Sequence, residues 1–196
     1  MRELLSRYGM VVLLAVLIPA AAISAVTGGA KAAKVGQQAP YVPSGEMQNF
    51  TLHQTPQDVA EVTFKDAEGH DLSLADFKGR LVMLNLWATW CAPCRREMPD
   101  IDALQAKYGG KDFVVLALSQ DRKGVDAVRD FYAEIGVKNL EIFIDQKARS
   151  SRKLRATGLP TTLLLNKSGS EIGRLIGPAN WNSADAQKLI EYYLRD

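Results

Sequence analysis

The stretch Leu81-Val82-Met83-Leu84-Asn85-Leu86-Trp87-Ala88-Thr89-Trp90-Cys91-Ala92-Pro93-Cys94 decides how this chain is read. Its first seven residues form an apolar run of strand length, interrupted only by Asn85, and Pro99 to Lys107 continue Cys94 in a helical pattern. Cys91 and Cys94 are the only cysteines of the chain, and their spacing puts the first of them at a strand-to-helix junction. At a helix N-terminus, unpaired backbone N–H groups and the macrodipole favour an anion, so a thiol there ionises more readily than a free cysteine. A bond between these two residues closes a loop too short to restrict the unfolded chain much, which argues against a structural staple. The pair reads as a centre for thiol–disulfide exchange.

Other uses of two cysteines fail on composition. Structural zinc takes four ligands, and the chain adds only His53 and His70. A c-type haem needs a histidine directly after the second cysteine, where Arg95 stands. The expectation is therefore no metal and no cofactor. Charged residues make up 23% of the chain and the formal net charge is +2, a balance that points to no nucleic-acid partner.

Met10 to Val26 is an apolar run with Ser24 as its only polar side chain. At 1.5 Å per residue it reaches about 25 Å, enough for a hydrocarbon core near 30 Å if flanking groups snorkel. Arg2 and Arg7 precede it, while Lys31 and Lys34 beyond it weaken the charge bias. Small residues at Ala20 to Ala22 and at Ala30-Lys31-Ala32 offer cleavage patterns, so residues 1–26 read either as a membrane anchor or as a removed signal, with the length favouring the anchor. Residues 27–58 hold Gly28, Gly29, Gly36, Gly45, Pro40, Pro43 and Pro56 without sustained apolar period and read as a flexible linker. Residues 59–196 then form one exported domain, long enough for a full core.

Within that domain, residues 62–65 and 71–74 flank Asp66-Ala67-Glu68-Gly69-His70 as a short hairpin. Strands follow at 81–87 and 113–118, a helix at 125–135, a strand at 140–144 and a helix at 146–155. A hairpin of 161–165 and 171–176 and a helix capped near Asn182 or Ser183 complete the order. This order demands an α/β fold with a mixed sheet covered by helices.

The residues from Leu84 to Pro99 resemble the signature of the membrane-anchored, TlpA-like branch of bacterial thioredoxin-fold proteins, to which ResA and CcmG are close. Gly158-Leu159-Pro160-Thr161-Thr162 is similar to that family's cis-proline loop, and the helix, strand and helix between about 123 and 157 resemble its central insertion. Ile176 to Trp181 adds to the likeness. The resemblance spans about 59–196. It implies a thioredoxin-like fold, a central mixed sheet flanked by helices with an N-terminal hairpin and the insertion. It also implies a reductant of client disulfides in the periplasm, anchored in the bacterial inner membrane and supplied with electrons by a membrane donor of the DsbD or CcdA type. Implied clients are apocytochrome c, or a copper chaperone or oxidase subunit whose cysteines must be reduced before copper enters. Thr157-Gly158-Leu159-Pro160-Thr161-Thr162 differs from the Gly-Ala-Pro-Glu form of CcmG-like members, which favours the copper route. A Sco-type copper chaperone expects one more residue between the cysteines. A disulfide oxidant or isomerase is separated from a reductant by its potential.

Site residues follow from these readings. Cys91 is the expected nucleophile at the exposed helix start, and Cys94, one turn inside, resolves the mixed disulfide. Pro93 removes a donor from the helix start and, with Ala92, favours a potential nearer about −270 mV than about −120 mV. Glu97, three residues past Cys94, is either a proton shuttle for the sulfurs or an exposed carboxylate that complements the helix dipole. Asn85 stands where thioredoxin has a buried acid, leaving proton transfer to Glu97 or water. Pro160 is expected in the cis form against the cysteines, with the Leu159 backbone turned outward to pair with an extended substrate. Trp90 is expected to contact partners and Trp87 to be core, while His53 in the linker and His70 in the turn receive no role.

Overall fold

The apolar run becomes strand β4 (Leu81–Trp87), buried at every position because it is paired on both edges and covered on both faces. The computed structural model describes residues 40–195. The other strands are β1 (Thr51–Gln57), β2 (Thr63–Lys65), β3 (Asp71–Ser73), β5 (Phe113–Ser119), β6 (Phe143–Ile144), β7 (Thr161–Leu165) and β8 (Glu171–Ile176). They form one sheet in the order β1-β8-β7-β4-β5-β6-β2-β3. β4, β5 and β6 run parallel, and the remaining pairs are antiparallel. Helices α1 (Ala92–Tyr108), α2 (Val125–Ile135), α3 (Arg149–Lys153) and α4 (Ala184–Leu194) complete the expected thioredoxin-like α/β architecture.

Side chains alternate across β4, so the strand feeds two cores. Leu81, Met83 and Trp87 belong to one cluster with Met98, Ile101 and Leu104 of α1, Val128 and Phe131 of α2, and Leu189 and Ile190 of α4. Val82, Leu84 and Leu86 belong to the other, with Phe64, Phe77 and Leu163. Trp87 is fully buried and stacks on Tyr132, their planes 4° apart and centroids at 5.7 Å. Asn85 has the parity of the positions that face α1, and this registers its amide under the helix that carries the cysteines.

Three expectations change. The flexible linker proposed for 27–58 is not one in its described part. Gly45–Met47 is a 3-10 turn and Thr51–Gln57 is β1, paired with β8, so the folded domain begins near residue 40 rather than 59. The signal was hidden because β1 is an edge strand, exposed along most of its length and held by main-chain bonds rather than by alternating apolar residues. Its entry is fixed instead by Met47 and Phe50, both buried. His53 therefore lies on a strand, with Nε2 2.9 Å from Glu171 Oε1.

The strand at 140–144 shortens to Phe143–Ile144, and the helix at 146–155 to Arg149–Lys153. Asp145 ends the strand by turning the chain. Its carbonyl accepts from Ala148 N at 2.9 Å and its carboxylate from Ser150 N at 2.6 Å, while Ala148 takes φ 47°. The anchor or signal expected at 1–26 and the first part of the linker lie outside the described residues. No helix among the described residues is long and apolar enough to cross a membrane.

Gly173 shows how closely β1 packs. A Cβ there would meet Leu52 Cα at 3.0 Å and Phe50 Cε1 at 2.8 Å, besides the Thr51 carbonyl. Gly173→Ala is expected to destabilise the chain by about 2 kcal/mol through overpacking, read as a lower urea midpoint. An unchanged midpoint would show that β1 is not part of the cooperative fold.

Candidate active site

The β4 to α1 connection places the cysteines. Cys91 is the N-cap of α1, with extended φ and ψ of −85° and 102°, and its sulfur accepts a hydrogen bond from Cys94 N at 3.3 Å. Pro93 occupies the first turn, where its missing N–H leaves no intrahelical bond unmade. The two sulfurs are joined as a disulfide. Cys94 is fully buried and Cys91 retains 6% exposure, so the order of accessibility expected from the sequence holds, but Cys91 is a recessed sulfur and not an open one. Exposure belongs instead to the neighbouring Trp90, whose side chain is 69% accessible.

The loop before the cysteines is held by a buried acid that the sequence reading did not single out. Asp121, just beyond β5, accepts from Thr89 N at 2.8 Å, Thr89 Oγ1 at 2.6 Å and Ser119 Oγ at 2.7 Å. Arg95 fixes the other side: its guanidinium lies over the Phe131 ring at 4.3 Å and pairs with Glu134 at 2.9 Å. Trp90 is thereby presented from an anchored backbone.

Glu97 is not the exposed first-turn carboxylate of one sequence reading; it is buried, at 3% exposure. Its Oε1 accepts from Asn85 Nδ2 at 3.0 Å and its Oε2 from Ala179 N at 3.1 Å. Burial pushes its pKa up to about 7, against the Asn85 and Ala179 hydrogen bonds and the nearby Trp181 indole, which favour the charged form; Asp100 adds to the rise. The Trp181 N–H influences the carboxyl without completing a hydrogen bond to it. Asn85 also donates to Thr162 Oγ1 at 2.9 Å, while its own Oδ1 has no partner. The result is a carboxyl that changes charge near neutrality, three residues along the helix from Cys94. An amide beside it can present either a donor or, after a turn of the side chain, an acceptor.

The cis-proline expectation is met: the Leu159–Pro160 peptide is cis. β7 pairs with β4 in a register that sets Thr161 opposite Leu86, which brings Pro160 to the end of the sheet where β4 leads into the cysteines. Pro160 is buried and its carbonyl accepts from Gly177 N at 2.9 Å. Leu159 is half-buried against both cores. Cys91, Cys94, Trp90, Leu159 and Pro160 thus gather at one end of the sheet, with Glu97 beneath the helix start. Sequence reasoning missed Thr162, Ala179, Trp181 and Asp121. Only Asn85 carried a legible signal, a polar residue at an inward-facing strand position.

The Redoxin family profile matches residues 34–190. Thiol-disulfide oxidoreductase ResA of Bacillus anthracis is 37% identical over 112 residues, which cover 57% of this chain and 64% of that relative, so the match spans just under two thirds of its length. ResA of Bacillus cereus is 37% identical over 130 residues, covering 66% of this chain and 70% of the relative. A solved structure from Chlorobium tepidum, described as a candidate thiol:disulfide interchange protein DsbE, superposes with a TM-score of 0.64 at 26% identity, covering 74% of this chain and 99% of that one. With strand, cysteine pair and cis-proline in this arrangement, the chain belongs to the Redoxin family, as a thioredoxin-fold protein of the TlpA/ResA/CcmG type.

Proposed function

We propose that this chain is a thiol:disulfide oxidoreductase that reduces disulfides in client proteins on the outer side of the bacterial inner membrane. The observation that carries the reading is the Cys91–Cys94 pair at the N-terminus of α1, one sulfur capping the helix and the other fully buried behind it. In the reduced protein the Cys94 N–H and the helix dipole favour the Cys91 thiolate. That thiolate attacks a client disulfide and forms a mixed disulfide, releasing the first client sulfur as a thiolate that takes up a proton. Cys94 then loses its proton, attacks Cys91 Sγ and releases the second client sulfur. The second client sulfur also leaves as a thiolate and takes up a proton, so the client gains two electrons and two protons, while the two protons lost by Cys91 and Cys94 pass to water and to Glu97 and the Cys91–Cys94 disulfide remains.

Glu97 is the acceptor we assign to the Cys94 proton. A carboxyl with a pKa about 7 is matched to proton transfer near neutral pH, where an ordinary glutamate is too weak a base. Asn85 holds it in place, and Thr162 ties that amide to the cis-proline strand. Trp90 offers apolar contact to the client, and the Leu159 backbone offers hydrogen bonds to an extended segment of it. A membrane donor of the DsbD or CcdA type returns the electrons, and the N-terminal segment keeps the domain at that membrane. Pro93 supports a reducing potential, closer to about −270 mV than to about −120 mV. For the client we favour copper-centre assembly of cytochrome oxidase over cytochrome c maturation, on the Thr157-to-Thr162 loop sequence.

Cys94→Ser leaves the mixed disulfide unresolved, so proteins trapped on Cys91 in cells identify the client. An oxidase subunit or copper chaperone is expected. An apocytochrome would move the assignment to cytochrome c maturation, and the absence of any adduct would reject the exchange mechanism.

Glu97→Gln is expected to remove an inflection near pH 7 from the rate of client reduction; an unchanged profile would reject the proton-acceptor role. The same substitution tests the burial of charge. Glu97 binds its proton more tightly when folded, at a pKa of about 7 against 4.5, so between those values the native state holds more protons and stability falls as pH rises. Relative to Glu97→Gln, the unsubstituted chain is expected to weaken by about 3 kcal/mol as pH rises from below 4.5 to above 7 in denaturant titrations.

A further inference from the structure

Charge in this chain is nearly balanced overall but not locally. From residue 146 to residue 170 there is no aspartate or glutamate, and Lys147, Arg149, Arg152, Lys153 and Arg155 crowd the stretch that leads from β6 to the cis-proline loop. The fold lays part of this run against the active site. A cleft of about 940 Å³ has Thr89 and Trp90 on its active-site wall, and Arg122, Lys123, Lys147 and Arg152 also line it.

All four of those cations are exposed, and among the described residues none makes an ion pair. The acid in the cleft, Asp121, is buried, and its carboxylate is already engaged by Thr89 and Ser119. Asp126 at the start of α2 pairs with Arg129 at 2.9 Å. The walls are tied to each other: Gln146 Nε2 donates to the Arg122 carbonyl at 3.1 Å, and Gln120 Nε2 donates to Ser151 Oγ. A preformed cleft whose four exposed cations outnumber its one buried acid thus opens beside the exposed indole next to Cys91.

We propose that this cleft receives acidic residues flanking the disulfide of the client, so that the chain selects polypeptides carrying glutamate or aspartate beside their reactive cysteines. The inference rests on the oxidoreductase reading and names its substrate class. A client whose sulfur meets Cys91 must lay its chain over Trp90, and Trp90 forms one wall of the cleft. Carboxylates within a few residues of that sulfur then fall among Arg122, Lys123, Lys147 and Arg152. A low-dielectric wall with one sign of charge raises both the local concentration of an acidic chain and its association rate, and salt screens the effect. A lipid surface needs no groove and no alignment with a sulfur, which is why a polypeptide is the better occupant.

The test uses the full chain, reduced in advance, in single turnover against synthetic peptides that each close one disulfide and differ only in flanking glutamates, glutamines or lysines. The glutamate peptide is expected to react about tenfold faster than the glutamine peptide at low ionic strength, the lysine peptide more slowly still, and the differences are expected to shrink in high salt. Replacing the cations by serine (Arg122→Ser, Lys123→Ser, Lys147→Ser and Arg152→Ser, together and in pairs) is expected to bring the glutamate-to-glutamine ratio towards one. Equal rates for the three peptides, or a preference that survives the substitutions, would overturn the proposal. Binding to phosphatidylglycerol vesicles without any ranking of the peptides would assign the basic surface to the membrane, and so overturn it as well. Hydroxyethyl disulfide, small and uncharged, separates the two levels: if the reduced chain does not react even with it, the oxidoreductase reading fails first.

Discussion

The hydrogen bond from the Cys94 amide to the Cys91 sulfur organises the site. It exists because β4 ends at Trp87, the chain turns through Ala88 to Trp90, and α1 begins at Ala92 with Cys91 as its cap. A sulfur that caps a helix gains most from donors and dipole when it carries a charge. The same geometry buries Cys94 one turn inside. In the mechanism we propose, accessibility, nucleophilicity and the order of the two exchange steps all follow from one junction between a buried strand and a helix.

Behind that junction lies a second constraint of opposite sign. Glu97 sits where water is excluded, and its neighbours are donors that favour the carboxylate while burial favours the acid. Burial outweighs the donors, so the carboxyl titrates at about 7, and the fold loses stability as pH rises from 4.5 through that value. Such a residue under the helix start suits the proposed role of taking a proton from a buried thiol and returning it. Its position is set from three directions: Asn85 on the central strand, Ala179 in the loop after β8, and α1 itself.

Much of this was legible from the residues. Whereas the cis-proline was expected only because the Gly-Leu-Pro-Thr segment resembles a family loop, the apolar run and the cysteine spacing pointed to the central strand and the capped helix because each has a strong local cause. The ranges of α2, β7 and β8 followed from apolar period and turn residues for the same reason. β1 was not legible: an exposed edge strand held by main-chain pairing has no side-chain pattern, and its prolines and glycines read as linker. β6 and α3 were overextended because Asp145 and Ala148 turn the chain through side-chain and αL geometry that periodicity does not register. For Glu97, spacing could place the residue on the cysteine face but could not decide burial, which depends on the distant Ala179 loop. The basic cleft was hidden in a balanced net charge, since its cations come from the β5–α2 loop, the β6–α3 turn and α3, which only the fold brings together.

The most direct test of the central claim is the pH dependence of iodoacetamide alkylation of the reduced protein, followed separately for the two cysteine peptides by mass spectrometry. Cys91 should react first, with an apparent pKa well below the ordinary value of about 8.5, while Cys94 remains protected until the chain unfolds. If both thiols alkylate together and titrate like free cysteine, the helix cap does not activate Cys91, and the account of the site is wrong.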